Sequence, residues 1–269
     1  MFKKSCVSCH STLPPHFSWK KALTLEWLDP QPLLSLEEWF CESCRQKMDK
    51  LSEECAKCSR SLVEIDSTYI YEMGTIRICY DCVRWKYWEE EQGLDSILVK
   101  NWSLFTYNAW FKQWMEQYKF RRDERLKFVA ASFLLELWQT KVQQELSAEN
   151  IHIDYIVPIP LSEERMKERG FNQSSQIATL LSKRLDIPYK ENLLIRRLNE
   201  EKQSKKDRVQ RLEELFFKFI KNPAESVDIS NMNILLIDDI YTTGATLHAA
   251  AYTLIHAGAK HIFSLTIAR

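Results

Sequence analysis

Residues Asn233–Ala251 read NILLIDDIYTTGATLHAAA. An apolar run, Ile234 to Ile237, ends on two adjacent carboxylates, Asp238 and Asp239. A threonine pair, one of the chain's five glycines and an apolar stretch with helical spacing follow at once. A strand that is apolar without alternation is buried on both faces, as in a parallel sheet. In such sheets ligands bind beyond the carboxyl ends of the strands. Free backbone N–H groups and the positive end of the next helix make Thr242, Thr243, Gly244, Ala245 and Thr246 a cradle for an anion. Gly244 has no Cβ to hold a phosphate away from the backbone. Carboxylates repel phosphate, so Asp238 and Asp239 are expected to face another part of the ligand. The vicinal hydroxyls of a ribose, with a magnesium ion nearby, suit them, and a sugar phosphate matches the spacing.

The same alternation of strand and helix extends to both sides. SLFTYN (103–108) reads as a strand, and AWFKQWMEQYKF (109–120) carries Trp110, Phe111, Trp114, Met115 and Tyr118 at helical spacing. Leu126, Ala130, Phe133, Leu134, Leu137 and Trp138 mark a longer amphipathic helix. DYIVPIP is a strand, FNQSSQIATLLSKRL a helix, ATLHAAAYTLIHAG a helix ending at Gly258, and HIFSLTIA a final strand. The order predicts an α/β fold, a mostly parallel sheet with helices on both faces. A charged, glycine-containing join, KYWEEEQGLDSILVKN, places a boundary between a cysteine-rich region, residues 1–98, and the α/β domain, residues 99–269.

All eight cysteines precede that join, in four Cys-x-x-Cys pairs: Cys6/Cys9, Cys41/Cys44, Cys55/Cys58 and Cys79/Cys82. Two thiolates so spaced can face one tetrahedral ion, and two such turns complete a four-sulfur shell. Two structural zinc ions are expected, with the first pair joined to the second and the third to the fourth in preference to an interleaved pairing. The stretch between the first two pairs holds Trp19, Trp27 and Trp39 and is read as a packed excursion. Zinc with four sulfurs has no open position, so it stabilises a small fold and performs no chemistry. Residues 1–99 carry 12 Lys or Arg against 16 Asp or Glu, a balance of −4, which makes this region a poor partner for a phosphate backbone.

The 269 residues carry a formal net charge of zero, which gives no global field for nucleic acid or membrane. No apolar run reaches the roughly 20 residues of a bilayer span. Lys3 and Lys4 lead into Cys6 and Cys9 instead of a secretory apolar core. The expectation is a cytoplasmic protein with reduced thiols and no membrane insertion.

ILLIDDIYTTGAT resembles the phosphoribosyl pyrophosphate (PRPP) motif of type I phosphoribosyltransferases. With ERGFNQ following VPIPLS, and four Cys-x-x-Cys pairs upstream, essentially the whole chain resembles the ComF family. The resemblance implies a double zinc ribbon followed by a type I phosphoribosyltransferase-like domain. It also implies a role in natural transformation, where incoming single-stranded DNA is handled in the cytoplasm with other DNA-uptake proteins. Carried onto this chain, Asp238 and Asp239 hold the ribose hydroxyls at the catalytic position, and Thr242 to Thr246 hold the 5′-phosphate. Arg165, Lys167 and Arg169 supply charge to the pyrophosphate loop, Gly170 lets it turn, and Asn172 caps the next helix. The chain departs from the pattern at Thr242, where purine-salvage members carry a catalytic aspartate, and at Arg122, where close relatives carry glycine.

Nothing names an acceptor. A binding protein of DNA uptake that holds PRPP or a nucleotide phosphate therefore stands beside an active phosphoribosyltransferase. The basic stretch Arg196 to Arg211 lies where related transferases place a lid, and a solvated helix is an equal reading of it. With Lys119, Arg121, Arg122, Arg125 and Lys127 around Phe120 it forms the candidate surface for single-stranded DNA.

Overall fold

In the computed structural model the described residues are 5–13, 36–63, 65–120, 125–197 and 216–269. Among them, β3 (Lys100–Phe105), β8 (His261–Ala268), β7 (Asn233–Ile237) and β4 (Tyr155–Pro158) form a four-stranded sheet in that order, every neighbour pair parallel. Ile234 to Ile237 of β7 are all buried because side chains on both faces are covered. Leu235 and Ile237 join one core with Phe263 and Leu265, while Ile234 and Leu236 join the other with Ile262.

The first face packs against α2 (Ala109–Phe120), α3 (Arg125–Leu137) and α6 (Gln173–Leu185). In α2, Phe111, Trp114, Met115 and Tyr118 recur at helical spacing and are all buried. Asn108 starts that helix by accepting the Phe111 N–H at 2.9 Å. A π-helical turn, Trp138–Val142, leads from α3 into α4 (Gln143–Ala148). The second face packs against α7 (Ala245–His256). Each fully buried Leu or Ile contributes on the order of 2 kcal/mol.

The cysteine-rich region adds the hairpin β1 (Ile70–Met73) and β2 (Ile76–Cys79), followed by α1 (Tyr80–Glu91). It covers the free edge of β3. Asn101 N–H donates to Lys57 O at 2.8 Å, Leu51 N–H to Leu104 O at 3.2 Å, and Lys50 bridges Phe105. Buried Asn101, Ser103, Ser264 and Thr266 bond one another across β3 and β8, and Ser59 Oγ donates to Asn101 O at 3.1 Å. Hydrogen bonds and both cores thus run across the join at residues 98 and 99.

Two features differ from the sequence reading. Strand β3 begins at Lys100, not Ser103, because Asn101 is satisfied by the buried polar network. EERMKER forms α5 (Glu163–Arg169), with Ser162 Oγ accepting the Arg165 N–H at 3.3 Å and Gly170 ending it at φ 80°. A short antiparallel pair, β5 (Leu194–Arg196) and β6 (Phe219–Lys221), stands apart from the main sheet.

Candidate ligand site and cysteine centres

At the carboxyl end of β7 the chain turns on Asp238 and Asp239. Asp238 Oδ1 accepts the Ser174 hydroxyl at 3.0 Å and the Asp239 N–H at 2.9 Å. Burial, then the adjoining charge of Asp239, pushes the Asp238 carboxyl up to about 7. Asp239 Oδ2 pairs with Lys119 Nζ at 2.7 Å. Ser174 sits in the first turn of α6, whose start is fixed by Asn172 Oδ1 accepting the Ser174 N–H at 3.1 Å. The acid pair is therefore held from two helices that the sequence does not join to it.

Cations surround the pair. Arg169 is 9% exposed, its Nη1 donates to Gln173 Oε1 at 3.1 Å, and both aspartates act on its guanidinium. Gln173 is 1% exposed and its Nε2 has no hydrogen-bond partner among the described residues. Arg196, at the end of β5, feels both Arg165 and Asp238. Arg165 is exposed, and Lys167 lies on the outer face of α5, 4.0 Å from Glu163. Of the three cations assigned to this loop from sequence, Arg169 is the one turned inward to the acids. Lys119, read from sequence as part of a basic surface, is instead held on Asp239. Arg121, Arg122 and residues 198–211 lie outside the described residues, as do Trp19 and Trp27.

Thr242 and Thr243 are exposed, Gly244 is buried with φ 81°, and Thr246 is exposed in the first turn of α7. The N-cap residue Gly244 offers no side chain, and Ala245 N–H donates to Thr243 Oγ1 at 3.4 Å. The open N–H groups and helix dipole favour an anion there. Gly244 has a second reason to be glycine: a Cβ would overlap the ring and hydroxyl of Tyr241. Tyr241 is 3% exposed and its hydroxyl lies 3.5 Å from His248 Nε2. Burial pushes His248 down to about 3, so the imidazole is neutral, and Trp85 of α1 stacks on it at 4.0 Å. Trp85 is a contact to this loop that sequence spacing could not reveal.

The eight cysteines form two groups, Cys6/Cys9/Cys41/Cys44 and Cys55/Cys58/Cys79/Cys82, with the sulfurs of each within 4.8 Å of one another. Cys9–Cys41, Cys55–Cys82 and Cys58–Cys79 Sγ separations are 3.5, 3.6 and 3.7 Å. A tetrahedron of thiolates about 2.3 Å from zinc has edges of about 3.8 Å, so both donor sets fit that ion. The centres share one construction. Each begins with a turn closed by its first cysteine, Cys6 N–H to Ser11 O and Cys55 N–H to Arg60 O, both at 2.8 Å. Each ends with a cysteine at the start of a helical segment, Cys41 before Glu42–Arg45 and Cys79 before α1.

The molecule is thus an α/β protein whose parallel sheet presents paired aspartates beside an open helix start, flanked by two centres suited to zinc. No family model matches the chain. Competence protein ComFC of Bacillus subtilis is 35% identical over 274 aligned residues, covering 99% of this chain and 95% of that protein. Competence protein ComFC of Streptococcus pneumoniae is 31% identical, covering 98% of this chain and 99% of its own length. Competence protein F of Haemophilus influenzae is 32% identical over 42% of this chain. The chain belongs to the ComFC family. Adenine phosphoribosyltransferase of Leishmania tarentolae is similar in structure over 56% of this chain and 74% of its own, at 16% identity and a TM-score of 0.31. Among the described residues no helix is long and apolar enough to cross a membrane.

Proposed function

We propose that the crevice beyond β4, β7 and β8 binds a ribose phosphate, PRPP with magnesium in particular, in a protein that handles incoming single-stranded DNA in the cytoplasm during natural transformation. The observation that carries the site is the meeting, at one strand end, of Asp238 and Asp239 with the open helix start at Gly244 to Thr246. The acids take the ribose hydroxyls and the metal, and the cradle takes the 5′-phosphate. Arg169, with Arg165 and Arg196 nearby, offers charge for pyrophosphate, and Gln173 Nε2 is a buried donor still in need of an acceptor. The relatives' names, competence proteins, support the biological role.

Calorimetric titration with magnesium and PRPP tests the site. The variant Asp238→Asn plus Asp239→Asn is expected to lose binding, a fall of at least a hundredfold, and to remain folded by its melting curve. Unchanged affinity would overturn the site assignment. Anisotropy of labelled single-stranded DNA tests the role, with affinity expected to fall steeply with salt.

Turnover is a second reading, favoured by one observation. A carboxyl near 7, as at Asp238, is matched to proton transfer at neutral pH. Exchange of labelled pyrophosphate into PRPP, across a panel of bases and nucleic-acid acceptors, decides between a transferase and a binding protein.

A further inference from the structure

Two successive carbonyls of the phosphate cradle are held by donors that touch the second cysteine centre, one from α1 and one from the residue after β8. Trp85 Nε1–H donates to Thr243 O at 3.0 Å. Arg269 Nη1 donates to Thr242 O. In a trans peptide the C=O and the following N–H point in opposite directions. Drawing Thr242 O and Thr243 O toward these donors therefore turns the N–H groups of Thr243 and Gly244 the other way. Successive N–H groups aimed together make an anion-binding concavity.

Both donors are anchored on the second cysteine centre. Trp85 lies one helical turn beyond Cys82, in α1, and its ring is fixed by the stack on His248 at 4.0 Å and 10°. Arg269 Nη2 donates to Asp81 Oδ2 at 3.2 Å, and its Nε lies 3.5 Å from Cys58 Sγ. The same guanidinium sits 4.8 Å over the Tyr241 ring, which fills the space beside Gly244. Asp81 lies between Cys79 and Cys82 and also pairs with Arg60, two residues beyond Cys58, at 2.9 Å. A four-thiolate zinc shell carries net negative charge, which draws a guanidinium to it.

We propose that Trp85 and Arg269 are positioning residues for the phosphate cradle, and that through them the second cysteine centre sets the affinity of that cradle for a phosphate monoester. This rests on the ribose-phosphate reading above. It adds a connection which that reading does not require: zinc at Cys55, Cys58, Cys79 and Cys82 acts on ligand binding, while zinc at the first centre does not.

The test uses the full chain with Trp85→Phe, which keeps the ring and removes the N–H, and Arg269→Gln. Metal content, amide hydrogen exchange of residues 242–246 without ligand, and calorimetric titration with magnesium and PRPP are measured for each. Expected are two zinc ions per chain as in the unaltered protein, faster exchange at the cradle, and about tenfold weaker binding. Trp85→His, which retains a ring N–H, is expected to recover part of the affinity lost in Trp85→Phe. If the unaltered protein binds PRPP and both variants bind it equally well, the inference is overturned and the ribose-phosphate reading stands. If the unaltered protein binds no PRPP, that reading falls and the functional coupling falls with it. Cradle exchange identical in all variants overturns the positioning role in either case.

Discussion

The two cysteine centres are built alike and sit in different surroundings. In the first, Cys9 is exposed and Cys41 partly so, while Cys6 and Cys44 are buried. It rests on the helices that cover the first face of the sheet, where Phe40 stacks on Phe133 of α3 at 5.8 Å and meets Trp110 of α2 edge-on at 5.9 Å. In the second, all four cysteines are buried. It is wedged between β3, through Ser59 and Asn101, and the loop Thr242–Gly244, through Trp85 and Arg269. One pattern of thiols can therefore pin a surface segment or form part of a core. What lies against it decides which.

The largest difference is expected on removing one ligand from each centre. Structural zinc contributes on the order of 10 kcal/mol to small sites. Cys58→Ser is expected to cost roughly 5 kcal/mol or more, beyond what most domains can lose. The loss would spread to the cradle and to the edge of β3. Cys9→Ser is expected to release one zinc, to cost less stability than Cys58→Ser, and to leave PRPP affinity within about twofold. Metal analysis, melting curves and calorimetry on both variants check this. Equal losses of stability and affinity would show that the centres are interchangeable.

That contrast was only partly legible in the sequence. The thiol pairs follow from spacing; their sequential grouping is only the preferred of two pairings, and the sulfurs are grouped that way in the fold. The stretches Ala109–Phe120 and His261–Ala268 coincide with elements of the structure because their apolar periodicity is strong. Helix α5 escaped because EERMKER contains a single apolar residue, Met166, and so has no periodic signal. The start of β3 escaped because its buried residue Asn101 is polar and satisfied by Ser264 and Thr266, more than 160 positions away. In the site, Asp238, Asp239 and the cradle residues are local and readable. Lys119, Ser174, Arg196, Trp85 and Arg269 reach it through tertiary packing, as in the 158-position span from Trp85 to Thr243.

Acidity separates the cysteine centres from the acid pair by sign. Thiolates must be deprotonated to hold metal, so both centres lose stability as pH falls. Asp238 behaves oppositely. Its carboxyl lies near 7 in the folded chain and near ~3.9 when unfolded, so the folded state binds the proton more tightly between those values. Ionisation then costs stability, which falls as pH rises from about 4 to about 7 and levels above. Lys119, Arg169 and Arg196 face the pair and moderate the loss, while Asp239 deepens it. Asp238→Asn is expected to remove that fall, leaving the protein more stable at pH 8 by up to about 4 kcal/mol and unable to bind PRPP. Denaturant titrations at pH 5, 6, 7 and 8 check it. A stability curve of unchanged shape in the variant would mean that Asp238 is already ionised at pH 5.

The smallest effect discriminates the centres at matched positions. The residue after the second cysteine of each opening turn is left-handed: His10 at φ 61° and Ser59 at φ 58°. A side chain in that conformation costs about 1 kcal/mol, which glycine avoids. Glycine also enlarges the unfolded ensemble, which offsets about 0.4–1 kcal/mol of the gain. His10 is exposed, so His10→Gly is expected to change stability by less than about 0.5 kcal/mol. Ser59 is fully buried, and its hydroxyl donates to Asn101 O. Removing that bond costs about 1 kcal/mol, so Ser59→Gly is expected to be the less stable variant by about that amount. Paired melting curves at saturating zinc measure the difference. Equal stabilities would mean that the bond from the second centre to the edge of β3 contributes nothing, and that burial alone distinguishes the two centres.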